Sequence, residues 1–134
     1  DQAVSGGIIE YQGELGDVLP VLHSADCVVL PSYYREGVPR ALLEAAAAGK
    51  PLIVADSVGT REPLENGING YLVPPRDTQS LADAMIRFIE LEETEVRRMG
   101  TESRRIACER FSDTIVIDAY ISAISRFGNP RREG

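Results

Sequence analysis

Two short runs, Cys27-Val28-Val29-Leu30 and Leu52-Ile53-Val54-Ala55, are apolar throughout and show no alternation. A strand with one wet face alternates polar and apolar residues, so an unbroken apolar run is what a parallel strand covered on both faces requires. Helical patterns separate and follow these runs. Residues 39–48 combine a first-turn proline, the sequence Arg-Ala-Leu-Leu-Glu followed by four alanines, and Gly49 at the C-cap position. Ile8-Ile9-Glu10-Tyr11 reads as a further strand ending at Gly13, and residues 16–24 as a short helix with Val18, Leu19, Val21 and Leu22 on its inner side. Ser57-Val58-Gly59-Thr60 reads as a turn leading into a short helix over 61–65. Asn66 to Gly70 has turn chemistry, and Tyr71-Leu72-Val73 is a last strand stopped by Pro74-Pro75. Amphipathic helices are predicted over 78–91 and 94–111, and a final one from Ser112 and Thr114 to about Phe127. The fold class that follows is α/β, a parallel sheet of about four strands flanked by helices, with 134 residues forming one domain.

Composition narrows the function classes. Twenty-one acidic against fourteen basic side chains give a net charge of −7, and Lys50 is the sole lysine. Sequence-independent nucleic-acid binding needs a dense basic face, so no nucleic acid is expected as a partner. An anionic ligand would have to be held by local backbone dipoles and a few arginines. Cys27 and Cys108 have no metal-ligand spacing and read as reduced thiols, and His23 has no partner at metal spacing. No apolar stretch approaches the ~18 residues of a membrane span, and the first seven residues do not resemble a signal peptide, so a cytoplasmic location is expected. The arginine-rich residues 126–132 read as a solvated terminus, and the acidic run 90–95 as a solvated helix end.

Open parallel sheets bind ligands where strand C-termini lead into helix N-termini. The loop from Pro31 to Pro39 is long for such a connection and carries Tyr33, Tyr34, Arg35, Glu36 and Gly37; the two tyrosines read as loop packing. The helix after it begins with N–H groups at Arg40 and Ala41 that have no intrahelical acceptor, while Pro39 contributes none. A diphosphate would be stabilised there. Glu36 and Glu44 lie eight positions apart, roughly 12 Å along an ideal helix. That exceeds the separation of an acid/base carboxylate pair and suits two ends of one extended ligand. Each carboxylate can accept from vicinal hydroxyls. Spacing alone fits equally well a Glu44 that forms an exposed helix pair and a Glu36 that only complements the helix dipole.

Residues 36–45, Glu-Gly-Val-Pro-Arg-Ala-Leu-Leu-Glu-Ala, resemble the E-x7-E motif of retaining glycosyltransferases with the GT-B fold, of the family 4 type. The resemblance extends in order through Ala25-Asp26, Leu30-Pro31-Ser32, Gly49-Lys50-Pro51, Gly59-Thr60-Arg61-Glu62, Asn69 to Pro74 and Arg110-Phe111-Ser112. Residues 34–40 are similar to the subgroup acting in bacterial surface polysaccharide and lipid-linked glycan assembly. The resemblance implies a Rossmann-like, C-terminal donor-binding domain. Glu36 would be the catalytic residue, holding hydroxyls of the transferred sugar and the charge near its leaving phosphate. Glu44 would bind the ribose hydroxyls, and Gly37, Val38, Arg40 and Ala41 would meet the diphosphate. Gly13, Glu14 and Leu15 would begin the nucleobase pocket, and Gly59 and Thr60 would line the donor from a second loop.

The implied reaction is retaining transfer from a UDP- or GDP-linked sugar to a glycan or lipid-linked hydroxyl, with no cofactor and no metal. In that family an arginine and a lysine upstream clamp the diphosphate, and an acceptor domain precedes them. The chain is therefore expected to be a partial donor domain, inactive alone, with Arg35, Arg40 and Arg61 offering some electrostatic compensation. A location of the parent at the inner face of the membrane is also expected. In the family's full domain the missing strands would sit between the strand at Ile8 to Tyr11 and the one at Cys27 to Leu30, so their removal is expected to leave an apolar edge and a dimer through it. Two other functions compete: a noncatalytic nucleotide-sugar or phosphate-binding module, and a flavodoxin-like interaction domain.

Overall fold

A computed structural model describes residues 2–33 and 37–111 of the chain. Its elements are α1 (Gln2–Ser5), α2 (Leu19–Ser24), β1 (Val28–Leu30), α3 (Arg40–Ala47), β2 (Leu52–Ala55), β3 (Gly70–Val73), α4 (Thr78–Ile89) and α5 (Glu93–Phe111). The helix expected over 112–127 and the arginine-rich 126–132 lie outside the described residues.

All strand pairs are parallel, in the order β1-β2-β3, with Val28 opposite Leu52 and Leu52 opposite Gly70. Alternate residues of β2 point to opposite faces, and each face has its own apolar layer. Leu52 and Val54 pack with Leu42, Ala45 and Ala46 of α3 and Ala107 of α5. Ile53 packs with Tyr71 and Val73 of β3 and with Ala84 and Phe88 of α4. The sheet is thus helix-covered on both sides, which is why β2 carries no polar residue. All four of its residues are buried, whereas β1 is half-buried along its length.

Glycine sets two close approaches. A Cβ on Gly100, within α5, would stand 2.3 Å from the Gly49 carbonyl oxygen, so the end of α3 and the middle of α5 cross at backbone contact. A Cβ on Gly70 would fall 1.7 Å from the Leu52 carbonyl oxygen. Asn69 then pins the turn before β3. Its Oδ1 accepts from the Glu65 N–H at 2.7 Å, and its Nδ2 donates to the Pro63 carbonyl at 2.9 Å and to Ser103 Oγ at 3.1 Å.

The structure corrects three expectations. Three strands are present among the described residues rather than about four, because Ile8 to Tyr11 is not a strand. Ile8 is 82% and Tyr11 81% exposed, and the Ile8 and Ile9 N–H groups donate to the Ala3 carbonyl instead of to a ladder. A strand needs a neighbour, and its β propensity alone cannot supply one. Residues 58–63 form successive turns rather than leading into a helix over 61–65. α2 starts at Leu19, later than expected, where the Asp17 carboxylate accepts from the Leu19 N–H at 3.0 Å. α1 has no counterpart in the sequence reading.

Candidate functional site

The C-terminal ends of the three strands lead into three loops: 31–39 after β1, 56–69 after β2 and 74–77 after β3. The first and third of these loops flank a hollow of about 220 Å³ lined by Pro31, Tyr33, Ala55, Val73, Arg76 and Thr78, among others.

Loop 31–39 delivers the chain to α3. Glu36, Arg35 and Tyr34 lie outside the described residues. Gly37 is exposed, and Val38 is half-buried against the α3 face of the core. Pro39 is the N-cap residue, extended at φ −61° and ψ 131°, and no side chain caps the helix. Its carbonyl accepts from Leu42 and Leu43 at 3.1 and 3.3 Å, while helix geometry leaves the Arg40 and Ala41 N–H groups facing the loop without an intrahelical acceptor. Both residues are exposed. One turn on, Arg40 Nε donates to Glu44 Oε1 at 2.8 Å. The pair is lopsided: the Arg40 side chain is 74% exposed and that of Glu44 only 13%. The expected helix pair therefore exists, but Glu44 is sheltered rather than solvated. Its second oxygen remains an acceptor, since a carboxylate offers about four lone-pair sites.

The loop after β2 is internally tied. Thr60, fully buried, donates its hydroxyl to the carbonyls of Ala55 at 2.7 Å and Ser57 at 3.0 Å. Gly59 is also buried, with φ 94°. The Thr60 side chain therefore holds the loop shut and has no proton left for a ligand. Arg61 pairs with Asp56 at 3.2 Å, so Arg61, like Arg40, already has a carboxylate partner. Gly13, Glu14 and Leu15 lie exposed in the irregular stretch between α1 and α2.

Two features of the β3–α4 turn were not anticipated. Arg76 has φ 60°, the one non-glycine positive φ among the described residues, and its guanidinium lies 4.4 Å from the centre of the Tyr33 ring. Left-handed backbone costs a non-glycine residue ~1–2 kcal/mol, and an exposed cation–π contact stabilises by ~0.5–1 kcal/mol. Asp77 caps α4, accepting from the Ser80 N–H at 2.9 Å and its hydroxyl at 2.8 Å. Those bonds hold its carboxyl below the usual carboxylate range. The Asp-x-x-Ser spacing was a readable cap signal; the arginine over the tyrosine, joining loops more than forty residues apart, was not. Tyr33 thus packs within the loops, in keeping with its sequence reading. Among the described residues no group of three His, Cys, Asp or Glu side chains gathers as a metal site, and no helix is long and apolar enough to cross a membrane.

A parallel sheet covered on both faces, with an uncapped helix start at the C-terminal ends of its strands, defines an open α/β domain, the class of fold in which loops at that edge form the ligand crevice. Residues 1–91 match the profile of the glycosyl transferases group 1, and the chain belongs to that family. It is 27% identical over 123 residues to N,N'-diacetylbacillosaminyl-diphospho-undecaprenol alpha-1,3-N-acetylgalactosaminyltransferase of Campylobacter jejuni, covering 92% of this chain and 32% of that protein. Identity is 37% over 112 residues to the exopolysaccharide phosphotransferase SCO2592 of Streptomyces coelicolor, covering 81% of this chain and 12% of that protein. The chain thus spans a third or less of the length of these relatives. Among solved structures it resembles Anabaena Alr3699/HepE in complex with UDP and glucose, with a TM-score of 0.74 and 25% identity, over 96% of this chain and 34% of that one. The GT-B setting expected for the sheet agrees with that likeness.

Proposed function

We propose that this chain is the donor-binding part of a glycosyltransferase that moves a sugar from a nucleoside diphosphate to a hydroxyl of a glycan or lipid-linked acceptor, with retention at the anomeric carbon. In that reaction the bond from the anomeric carbon to the diphosphate oxygen breaks. A bond to the acceptor oxygen forms on the same face, and the acceptor hydroxyl loses its proton. The departing diphosphate carries the developing negative charge, which donors fixed in advance stabilise most effectively.

The observation that carries the reading is the uncapped start of α3, with the exposed Arg40 and Ala41 beside a sheltered Glu44. The Gly37 to Ala41 backbone meets the diphosphate, and Arg40 bridges it to Glu44. The second oxygen of Glu44 accepts from the ribose hydroxyls. Glu36, assigned by the motif spacing, serves the transferred sugar, and the loops bearing Gly13 to Leu15 and Gly59-Thr60 flank the nucleotide. Support for a uridine donor comes from the likeness to the Anabaena protein solved with UDP and glucose. The Campylobacter relative, named as a glycosyltransferase acting on an undecaprenol-linked acceptor, supports glycan assembly at the membrane face. The remaining parts, an acceptor domain and a basic diphosphate clamp, belong to a longer protein, and the open side of β1 lets two copies of this chain pair in their absence.

Calorimetric titration of the 134-residue chain with UDP, GDP and UDP-glucose tests the reading. Weak binding of a nucleoside diphosphate is expected, weakened further by about tenfold in Glu44→Ala through loss of a charged acceptor worth ~1.5 kcal/mol or more. No turnover of nucleotide sugar by the chain alone is expected. An absence of binding to any of the three would favour an interaction domain, and turnover by the isolated chain would show that no further part is needed.

A further inference from the structure

Arg76 stands out among the described residues because two observations conflict there. Its backbone occupies the left-handed region that glycine tolerates and arginine does not favour, at φ 60°. Its side chain is nonetheless long and specifically placed, 4.4 Å from the centre of the Tyr33 ring. The turn it sits in, Pro74-Pro75-Arg76-Asp77, is fixed on both sides, by the prolines before it and by the Asp77 cap after it. A strained residue held between fixed neighbours and reaching across to another loop indicates that the side chain has a use.

We infer that Arg76 is a positioning residue for donor binding: by covering Tyr33 it ties the β1–α3 loop to the β3–α4 turn and sets the approach of that loop to α3. The two residues share the hollow at the strand ends, together with Pro31 and Thr78. Tyr33 precedes the α3 start by a few residues, so where its ring rests bears on how the Gly37 to Ala41 backbone is presented. Arginine is suited to this role because its planar guanidinium stacks on an aromatic face while keeping its charge. The assignment rests on the donor-binding reading for its functional consequence, while the loop tie stands on the geometry alone.

The informative substitution is Arg76→Gly, because glycine accepts φ 60° without strain and removes only the side chain. Two measurements on the 134-residue chain separate positioning from folding. Thermal melting of Arg76→Gly should be unchanged or higher, whereas amide hydrogen exchange at residues 32, 33, 37 and 38 should speed up by about tenfold, as expected where a local tie is lost without global destabilisation. UDP affinity should fall by about tenfold in the same variant, equivalent to ~1.4 kcal/mol. Tyr33→Ala, which removes the ring, should match Arg76→Gly in both. Exchange within twofold of wild type in Arg76→Gly would overturn the tie. Faster exchange with unaltered UDP affinity would overturn the positioning role. If the unaltered chain binds no UDP, the donor reading and with it the positioning role fail, while the exchange data still decide the loop tie.

Discussion

Asn69 shows how much one side chain can hold. It is fully buried and uses both ends of its amide, against Glu65, Pro63 and Ser103. Replacing it with alanine strands a backbone donor, a carbonyl and a hydroxyl at once. Each unsatisfied buried group costs ~1–3 kcal/mol, so Asn69→Ala should lose about 2–4 kcal/mol in urea unfolding and Ser103→Ala only about 1 kcal/mol. The sequence presents Asn69 as one more turn residue, because its partner Ser103 lies 34 positions away and nothing local marks the pairing. Cys27 is a different case. Burial, and then the neighbouring Asp26 charge, push its thiol up to about 12. At pH 8 almost no thiolate exists there, so iodoacetamide should label the folded chain at Cys27 far more slowly than the unfolded chain. The sign of the stability effect follows. Between the ordinary thiol value of 9.0 and about 12 the unfolded chain loses this proton while the folded chain keeps it, so stability falls as pH rises through that window. Cys27→Ala should flatten that alkaline slope in unfolding curves taken from pH 8 to 11.

At the scale of elements, contact between backbones decides what the sequence can and cannot reveal. The run Leu52 to Ala55 was legible because both faces of β2 meet apolar layers, and α3 because its alanines and flanking Pro39 and Gly49 are local signals. Ile8 to Tyr11 misled because strand formation depends on a partner that local composition cannot report, and here the segment turns back on α1. In the candidate site the same division holds. The start of α3 and Glu44 could be read from Pro39 and the glutamate spacing, but the shelter of Glu44 and the closure of the β2 loop by Thr60 arise from tertiary contact. Gly100 carries the clearest consequence. In the middle of a helix glycine is unfavourable by ~1 kcal/mol relative to alanine, so Gly100→Ala should stabilise α5 considered alone. Instead its methyl group meets the Gly49 carbonyl at 2.3 Å, forcing α3 and α5 apart. Overpacking of this kind costs ~1–3 kcal/mol, and a net loss in thermal unfolding is expected. Gly16→Ala, with no atom within 4 Å of the added carbon, serves as the control and should be near neutral.

For the whole molecule the decisive asymmetry is between the two faces of the sheet, which are covered, and the side of β1, where no strand pairs among the described residues. β1 is half-buried, and beside it Met85, Ile89 and Val29 line a hollow of about 350 Å³ on the α4 face, with Ile89 77% exposed. The Val28 N–H donates to the Pro51 carbonyl toward β2. Because successive peptide groups of a strand face opposite sides, the Val29 N–H and carbonyl then point to the open side. An unpaired strand edge with apolar flanks is a template for another strand, so the proposed pairing of two copies has a specific backbone address. Val29→Pro removes the outward N–H while leaving the bonds to β2 in place. Light scattering of the 134-residue chain should give a dimer mass that falls to the monomer in Val29→Pro, with the thermal transition still cooperative. A monomer in the unaltered chain would mean that the open side is left to water despite its apolar flanks. In a longer protein that supplies its own strand at this position, the same edge would be satisfied internally and Val29→Pro would instead destabilise the sheet. The direction of that one substitution, toward monomer or toward unfolding, therefore distinguishes an edge exposed only in this chain from a sheet that ends at β1.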